Sequence, residues 1–149
     1  MRIKAAVLRE AGLPRPYVDS QPLVIEEVDL DPPSKDEVLI KIKAVGLCHS
    51  DLVAISGERA RPLPMVIGHE AAGVVELVGP NVKNFSPGDH VAAAFVASCG
   101  HCEMCREGRP SLCEPANHAN FSGTLMDGTT RLHKDGNHIH HHSGVAAFA

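Results

Sequence analysis

In Val38-Leu39-Ile40-Lys41-Ile42-Lys43 the apolar residues 38, 40 and 42 fall on one face of an extended chain, with Lys41 and Lys43 on the other. A period of two marks a strand with one buried face. Strand-like composition also marks Ile3–Leu8, Leu23–Asp29, Ala72–Val78 and His90–Phe95, and the alternation in the first block extends to Val45. Turn chemistry separates these blocks: Asp31-Pro32-Pro33-Ser34-Lys35-Asp36, Gly79-Pro80-Asn81 and Ser86-Pro87-Gly88-Asp89 combine the fixed φ of Pro with permissive Gly or local Asx bonding. A short helix is predicted from Ser50 to about Ser56, opened by His49 or Ser50 with Gly57 just past its end, and another through Cys102–Arg106. Gly108–Ser143 reads as loop-rich, and the closing Gly144-Val145-Ala146-Ala147-Phe148-Ala149 begins like a strand. The pattern predicts a mainly β fold.

Composition narrows this picture. A chain of 149 residues has room for one principal core. Aromatic residues make up 3% and Trp is absent, so Val, Leu, Ile and Ala must fill that core, as suits a β-rich fold. Eighteen acidic against fourteen basic residues give a net charge of -4 without a Lys/Arg run, which argues against nucleic acid as a partner. No apolar stretch approaches the roughly 20 residues that cross a bilayer, and Met1-Arg2-Ile3-Lys4 leads into a strand pattern rather than a signal peptide. The expectation is a soluble, cytoplasmic protein with no membrane partner.

Of five cysteines, Cys99, Cys102, Cys105 and Cys113 crowd together while Cys48 stands alone. One tight loop can bring four such thiolates onto a tetrahedral zinc ion at about 2.3 Å, a closed set that marks a structural site. Gly100 and Gly108 would let the backbone turn and Pro110 would stiffen the approach to Cys113. Disulfides would need an oxidising compartment. An iron–sulfur cluster of the bacterial ferredoxin type would need a shorter last gap, so structural zinc is the favoured reading.

Two further segments have the chemistry of an open metal site: Gly46-Leu47-Cys48-His49-Ser50-Asp51 and Gly68-His69-Glu70. Read alone, Cys48 fits a buried apolar thiol and His69 an ordinary core histidine as well as they fit metal ligands. Ser50 likewise fits a helix cap, Asp51 a first-turn acid and Glu70 an exposed turn acid. Gly68-His69-Glu70-Ala71-Ala72-Gly73, continuing to Gly79 and Val82, resembles the zinc-containing alcohol dehydrogenase signature G-H-E-x2-G-x5-G-x2-V. With the Cys48 segment upstream and the cysteine lobe (about 97–115) downstream, the chain is identified as a member of the medium-chain alcohol dehydrogenase family, along its whole length.

That resemblance implies a GroES-like β-barrel with short helices and a four-cysteine zinc lobe, spanning residues 1–149. No G-x-G-x-x-G follows a strand, so the cofactor-binding Rossmann domain is expected to be absent and the piece inactive alone. Zn2+ would occupy a structural site at Cys99, Cys102, Cys105 and Cys113 and a catalytic site at Cys48 and His69, whose third ligand lies beyond residue 149. Asp51 would fix the His69 tautomer, Glu70 would tune the metal from behind, and Ser50 would relay the alcohol's proton. His49 would reach the pyrophosphate of NAD or NADP. Phe95, His118, His142 and Ser143 would line the substrate pocket, whose polarity suggests a hydroxylated, aromatic or thiol-adduct substrate such as S-hydroxymethylglutathione. The implied reaction is hydride transfer between a primary or secondary alcohol, or its aldehyde, and NAD(P), with zinc stabilising an alkoxide, in an enzyme that is a homo-oligomer at full length. In place of the histidine that completes the proton relay in some relatives, this chain has Leu52-Val53-Ala54. The rival readings are a non-catalytic zinc-stabilised binding module and a reductase or polyol dehydrogenase of the same superfamily.

Overall fold

A computed structural model describes residues 1–149. The chain runs β1 (Arg2–Leu8), α1 (Tyr17–Ser20), β2 (Leu23–Leu30), β3 (Val38–Gly46), α2 (His49–Ile55), β4 (Met65–Val66), β5 (Glu70–Val78), β6 (His90–Ala92), α3 (Glu103–Arg106), a 3-10 turn at Pro110–Leu112, α4 (Glu114–Ser122), β7 (Leu132–Lys134) and β8 (Asn137–His141). Five strands close into a barrel in the order β1-β2-β7-β8-β4, while β3, β5 and β6 form a separate sheet in the order β3-β5-β6. No helix is long and apolar enough to cross a membrane.

The barrel holds the main core. Ala5, Val7, Val28, Val66, Leu132, Ile139 and Ala146 pack together, and a second cluster joins Leu8, Met65 and Ile67 to Ala54 of α2. Full burial of a side chain such as Leu8 or Ile67 contributes about 1.5–3 kcal/mol. The second cluster matters most for the site, because it anchors α2 against the segment that leads into His69.

Several expectations need correction. The strand expected over His90–Phe95 stops at Ala92, where pairing with Ala72 ends. Helix α2 is opened by Cys48 rather than by His49 or Ser50: the Asp51 carboxylate accepts the Cys48 N–H at 3.0 Å, so the capping acid sits in the third helical position. The stretch read as loop contains α4, whose first turn carries Pro115 where a missing N–H costs nothing, and the β7–β8 hairpin, which closes the barrel. The C-terminal segment forms turns, not a strand, yet its backbone is held: the N–H groups of Ala147 and Phe148 donate to Gly68 and Ile67 at 2.9 and 3.2 Å, and Ala6 N–H donates to the Phe148 carbonyl at 2.9 Å.

On β3 the alternation holds: residues 38, 40 and 42 are half-buried and Lys41 and Lys43 exposed. The apolar positions face a cavity of about 620 Å³ between this strand and the barrel, bounded across the gap by Ile3, Leu30 and Leu132, and this keeps them from full burial.

Candidate metal and catalytic centre

Strands β3 and β5 pair antiparallel, and the last pair in register is Gly46 with Glu70. Both strands end at that point, so Cys48, two residues after Gly46, and His69, one residue before Glu70, emerge side by side. The approach is so close that a Cβ on Gly46 would lie 2.2 Å from Glu70 Oε2 and 3.1 Å from its Cβ, so a larger residue there would displace the Glu70 side chain. Cys48, His69 and Glu70 each offer a ligand atom within 4.8 Å of the others. Cys48 is half-buried, His69 buried and Glu70 exposed, so the cluster is closed on the protein side and open on the other.

Asp51 organises the closed side. Its Oδ2 accepts the Cys48 amide at 3.0 Å, and its Oδ1 accepts the Gly68 amide at 3.2 Å, with His142 Nδ1 at 3.0 Å and His69 Nδ1 at 3.4 Å from the same oxygen. Burial pushes the Asp51 carboxyl upward, but the hydrogen bonds from His142 and Cys48 and the neighbouring imidazoles outweigh it and hold the group below its ordinary value. An ionised carboxylate only accepts, so His142 directs Nδ1–H toward it, while His69 turns its Nδ1 edge to the same oxygen at 3.4 Å and to His142 Nδ1 at 3.4 Å. Burial, partly opposed by Asp51, lowers the pKa of His69 and keeps the ring neutral. Its bare Nε2 receives the Ser50 hydroxyl at 3.4 Å, a neutral imidazole nitrogen of the kind a zinc ion takes.

The remaining expected site residues are placed as follows. His49 is exposed on the first turn of α2. The Phe95 ring lies 4.5 Å from the His69 ring and, with Ser143, lines a cavity of about 200 Å³. His118 is exposed on α4 and lines neither that cavity nor the larger one. His142 is buried behind His69, its ring edge-on at 4.7 Å. Its place in a run of histidines offered no signal of that contact with Asp51. Gly46 was visible in the motif, but its role as the floor under Glu70 required the strand pairing.

In the lobe, the sulfurs of Cys99, Cys102, Cys105 and Cys113 all lie within 4.8 Å of one another. A tetrahedral zinc site has sulfur–sulfur edges of about 3.8 Å, so the four lie within reach of one such ion. Gly100 and Gly108 both adopt φ +76, turning the chain at each side of α3. Amides already point at sulfur: Cys99 N–H donates to Cys113 Sγ and Cys102 N–H to Cys99 Sγ, both at 3.3 Å. The backbone N–H groups of His101 and Cys102 draw the Cys99 thiol down to about 6, whereas burial and the neighbouring sulfurs push Cys105 up to about 11. Protein dipoles alone thus support one thiolate and oppose another. A divalent cation would supply the charge that four converging thiolates need, and the donor set fits zinc.

Comparison with known proteins agrees with this geometry. The alcohol dehydrogenase GroES-like domain family matches residues 34–138. S-(hydroxymethyl)glutathione dehydrogenases of Escherichia coli O1:K1 and of Shigella sonnei strain Ss046 are each 42% identical over 134 residues, covering 89% of this chain and 36% of the relative. Among solved structures, an alcohol dehydrogenase zinc-binding domain protein from Burkholderia ambifaria superposes with TM-score 0.85 at 40% identity, over 99% of this chain and 38% of that one. Benzyl alcohol dehydrogenase from Acinetobacter calcoaceticus gives 0.83 at 32% identity, over 99% and 37%. The chain therefore spans little more than a third of the length of these relatives. In sequence, barrel and cysteine lobe alike, the chain belongs to the zinc-type medium-chain alcohol dehydrogenase family and carries its GroES-like domain.

Proposed function

We propose that residues 1–149 form the zinc-bearing catalytic domain of an NAD(P)-dependent alcohol dehydrogenase, acting on a primary or secondary alcohol or the corresponding aldehyde. The observation that carries this reading is the convergence of Cys48, His69 and Glu70 at the open end of the β3–β5 pair, with Asp51 behind His69. When bound there, zinc supplies Lewis-acid polarisation of the alcohol oxygen.

The chain's own residues do the rest. Cys48 Sγ and His69 Nε2 would hold the ion, and Asp51 fixes the tautomer that leaves Nε2 bare. The other four cysteines converge on one another in the lobe, so a second thiolate at this site would come from outside these residues. Ser50 Oγ stands at the metal-facing nitrogen of His69, where its hydroxyl can accept a proton from the alcohol and pass it outward. His49, exposed nearby, is free to meet a cofactor phosphate. The cavity of about 200 Å³ beside Phe95 suits a small alcohol head group, and Asn117, Asn120 and Ser143 on its walls suit a polar one. The named activity of the 42% identical relatives makes a hydroxymethyl thiol adduct the first substrate to try.

The test begins with metal content. Wild-type chain is expected to bind one zinc in the lobe and a second, weaker one at Cys48 and His69, and Cys48→Ser should remove only the second. Loss of lobe metal in that variant, or no loss at all, defeats the assignment. Alcohol-dependent reduction of NAD(P)+ by protein containing the cofactor-binding portion should vanish with the same substitution.

A further inference from the structure

We infer that His142 is a positioning residue for the imidazole ligand His69, acting through the Asp51 carboxylate and through its own ring. The inference rests on the reading that Cys48 and His69 hold a metal ion. Asp51 Oδ1 is shared: His142 Nδ1 at 3.0 Å lies closer than the Gly68 amide at 3.2 Å or His69 Nδ1 at 3.4 Å. The two amides on Asp51 fix the carboxylate to the backbone but do not touch the His69 ring. His142 does both, donating to Oδ1 while its ring stands edge-on to His69 at 4.7 Å and 89°.

His142 is 1% exposed and has no hydrogen-bond partner on Nε2, so the ring is not held in place from its far side. Its orientation comes from Asp51 and from the contact of its Nδ1 with His69 Nδ1 at 3.4 Å, and a ring flip that carried Nε2 to the carboxylate would have to break both. Phe95 packs against His69 at 4.5 Å. Besides the Ser50 hydroxyl at its Nε2, His69 is thus held by one carboxylate and two rings, and of these only His142 couples the carboxylate to a ring. Without it, Oδ1 loses its shortest donor and a space the size of an imidazole opens beside the ligand. Removing the partners that orient a metal-binding histidine costs typically about 10–100-fold in metal affinity.

The test is Co2+ titration of the metal-free chain, in which the four-thiolate lobe and the mixed thiolate–imidazole site give different visible bands. His142→Leu should bind Co2+ at the mixed site about tenfold or more weakly, with shifted bands, while the lobe titrates as in wild type. His142→Asn, whose amide can place an N–H near the Nδ1 position, should recover most of the affinity. His142→Gln, whose amide extends to the Nε2 position, should not. If His142→Leu does not fold, as lobe loading and thermal melting would reveal, the Asn and Gln pair decides. Equal affinity in all variants overturns the inference, and so does an Asn variant no better than Gln. A third Co2+ per wild-type chain that disappears with His142→Leu would make His142 a ligand rather than a positioning residue. A wild-type chain that takes up Co2+ only in the lobe defeats the underlying metal reading and this inference with it.

Discussion

The cysteine lobe and the Cys48–His69 centre use similar donor atoms but are assembled in opposite ways. The lobe draws its four sulfurs from a stretch of fifteen residues, between Cys99 and Cys113, that has one turn of helix, one 3-10 turn and no strand. The other centre draws Cys48, Asp51, His69 and His142 from segments nearly a hundred residues apart, with Asp51, His69 and His142 buried together. Metal binding should therefore create order in the lobe, whereas at the second centre the barrel and strand pairing supply the order beforehand.

The largest effect that would break this contrast is in the lobe. Chelation, or Cys102→Ser, should abolish lobe metal and with it the local fold, since structural zinc is worth about 10–16 kcal/mol in small domains that depend on it. Hydrogen exchange should show loss of protection confined to residues 97–115, and exchange spreading into β1 or β8 would refute the independence of the two regions. Next, Asp51→Ala leaves several buried N–H groups without their acceptor and should destabilise the barrel by about 3–5 kcal/mol in urea, leaving lobe metal intact. Loss of lobe metal would show that the two regions are coupled.

A pH effect of comparable size follows from His141. Its Nε2 accepts the Arg131 N–H at 3.1 Å while its Nδ1 is buried without a partner, and burial lowers its pKa to about 4, with Glu37 opposing and Arg131 and His140 adding to the shift. Unfolded, the ring titrates near 6.5 and binds the proton more readily than in the folded chain. The stability it protects is complete above about pH 6.5 and is lost as pH falls toward 4, by up to about 3 kcal/mol. His141→Gln should flatten that slope in acid denaturation, whereas an unchanged slope would place the titrating group elsewhere. The smallest effect is expected at the lobe surface: Glu107→Ala removes an ion pair with Arg109 in which the side chains are 47% and 55% exposed, and should change stability by less than about 1 kcal/mol. A large change there would mean that the lobe is not held chiefly by its metal.

The same contrast decides what could be read from the sequence. The lobe was legible because its ligands are neighbours in the chain, and a spacing that short constrains geometry by itself. The strands over residues 3–8, 23–29 and 38–45 were legible from alternation or β-branched composition. The hairpin β7–β8 was not: Leu132-His133-Lys134 is too short to establish a period, and histidines at 138, 140, 141 and 142 hide a strand whose inward residues include Ile139 and His141. Helix α4 buries only Ala116 and Ala119 and so lacks an apolar stripe. At the second centre, Cys48 and His69 carry the chemistry of an open metal site in the sequence, but their choice as ligands and the role of Asp51 come from the family resemblance. The contact between His142 and Asp51 spans 91 residues and leaves no local trace.

Strands β3 and β5 also carry two irregularities, between Leu39 and Ile40 and between Ile42 and Ala44. The first leaves Glu76 unmatched on β5 and the second leaves Lys43 unmatched on β3, so the offsets cancel and the ladder is back in step by Gly46 and Glu70. Deleting Lys43 alone would leave the remaining offset uncorrected and carry Cys48 along by about 3.3 Å, more than a zinc–sulfur bond. An exposed lysine that touches no ligand thus acts as a spacer. The length of a strand, counted to the single residue, sets whether sulfur and imidazole meet.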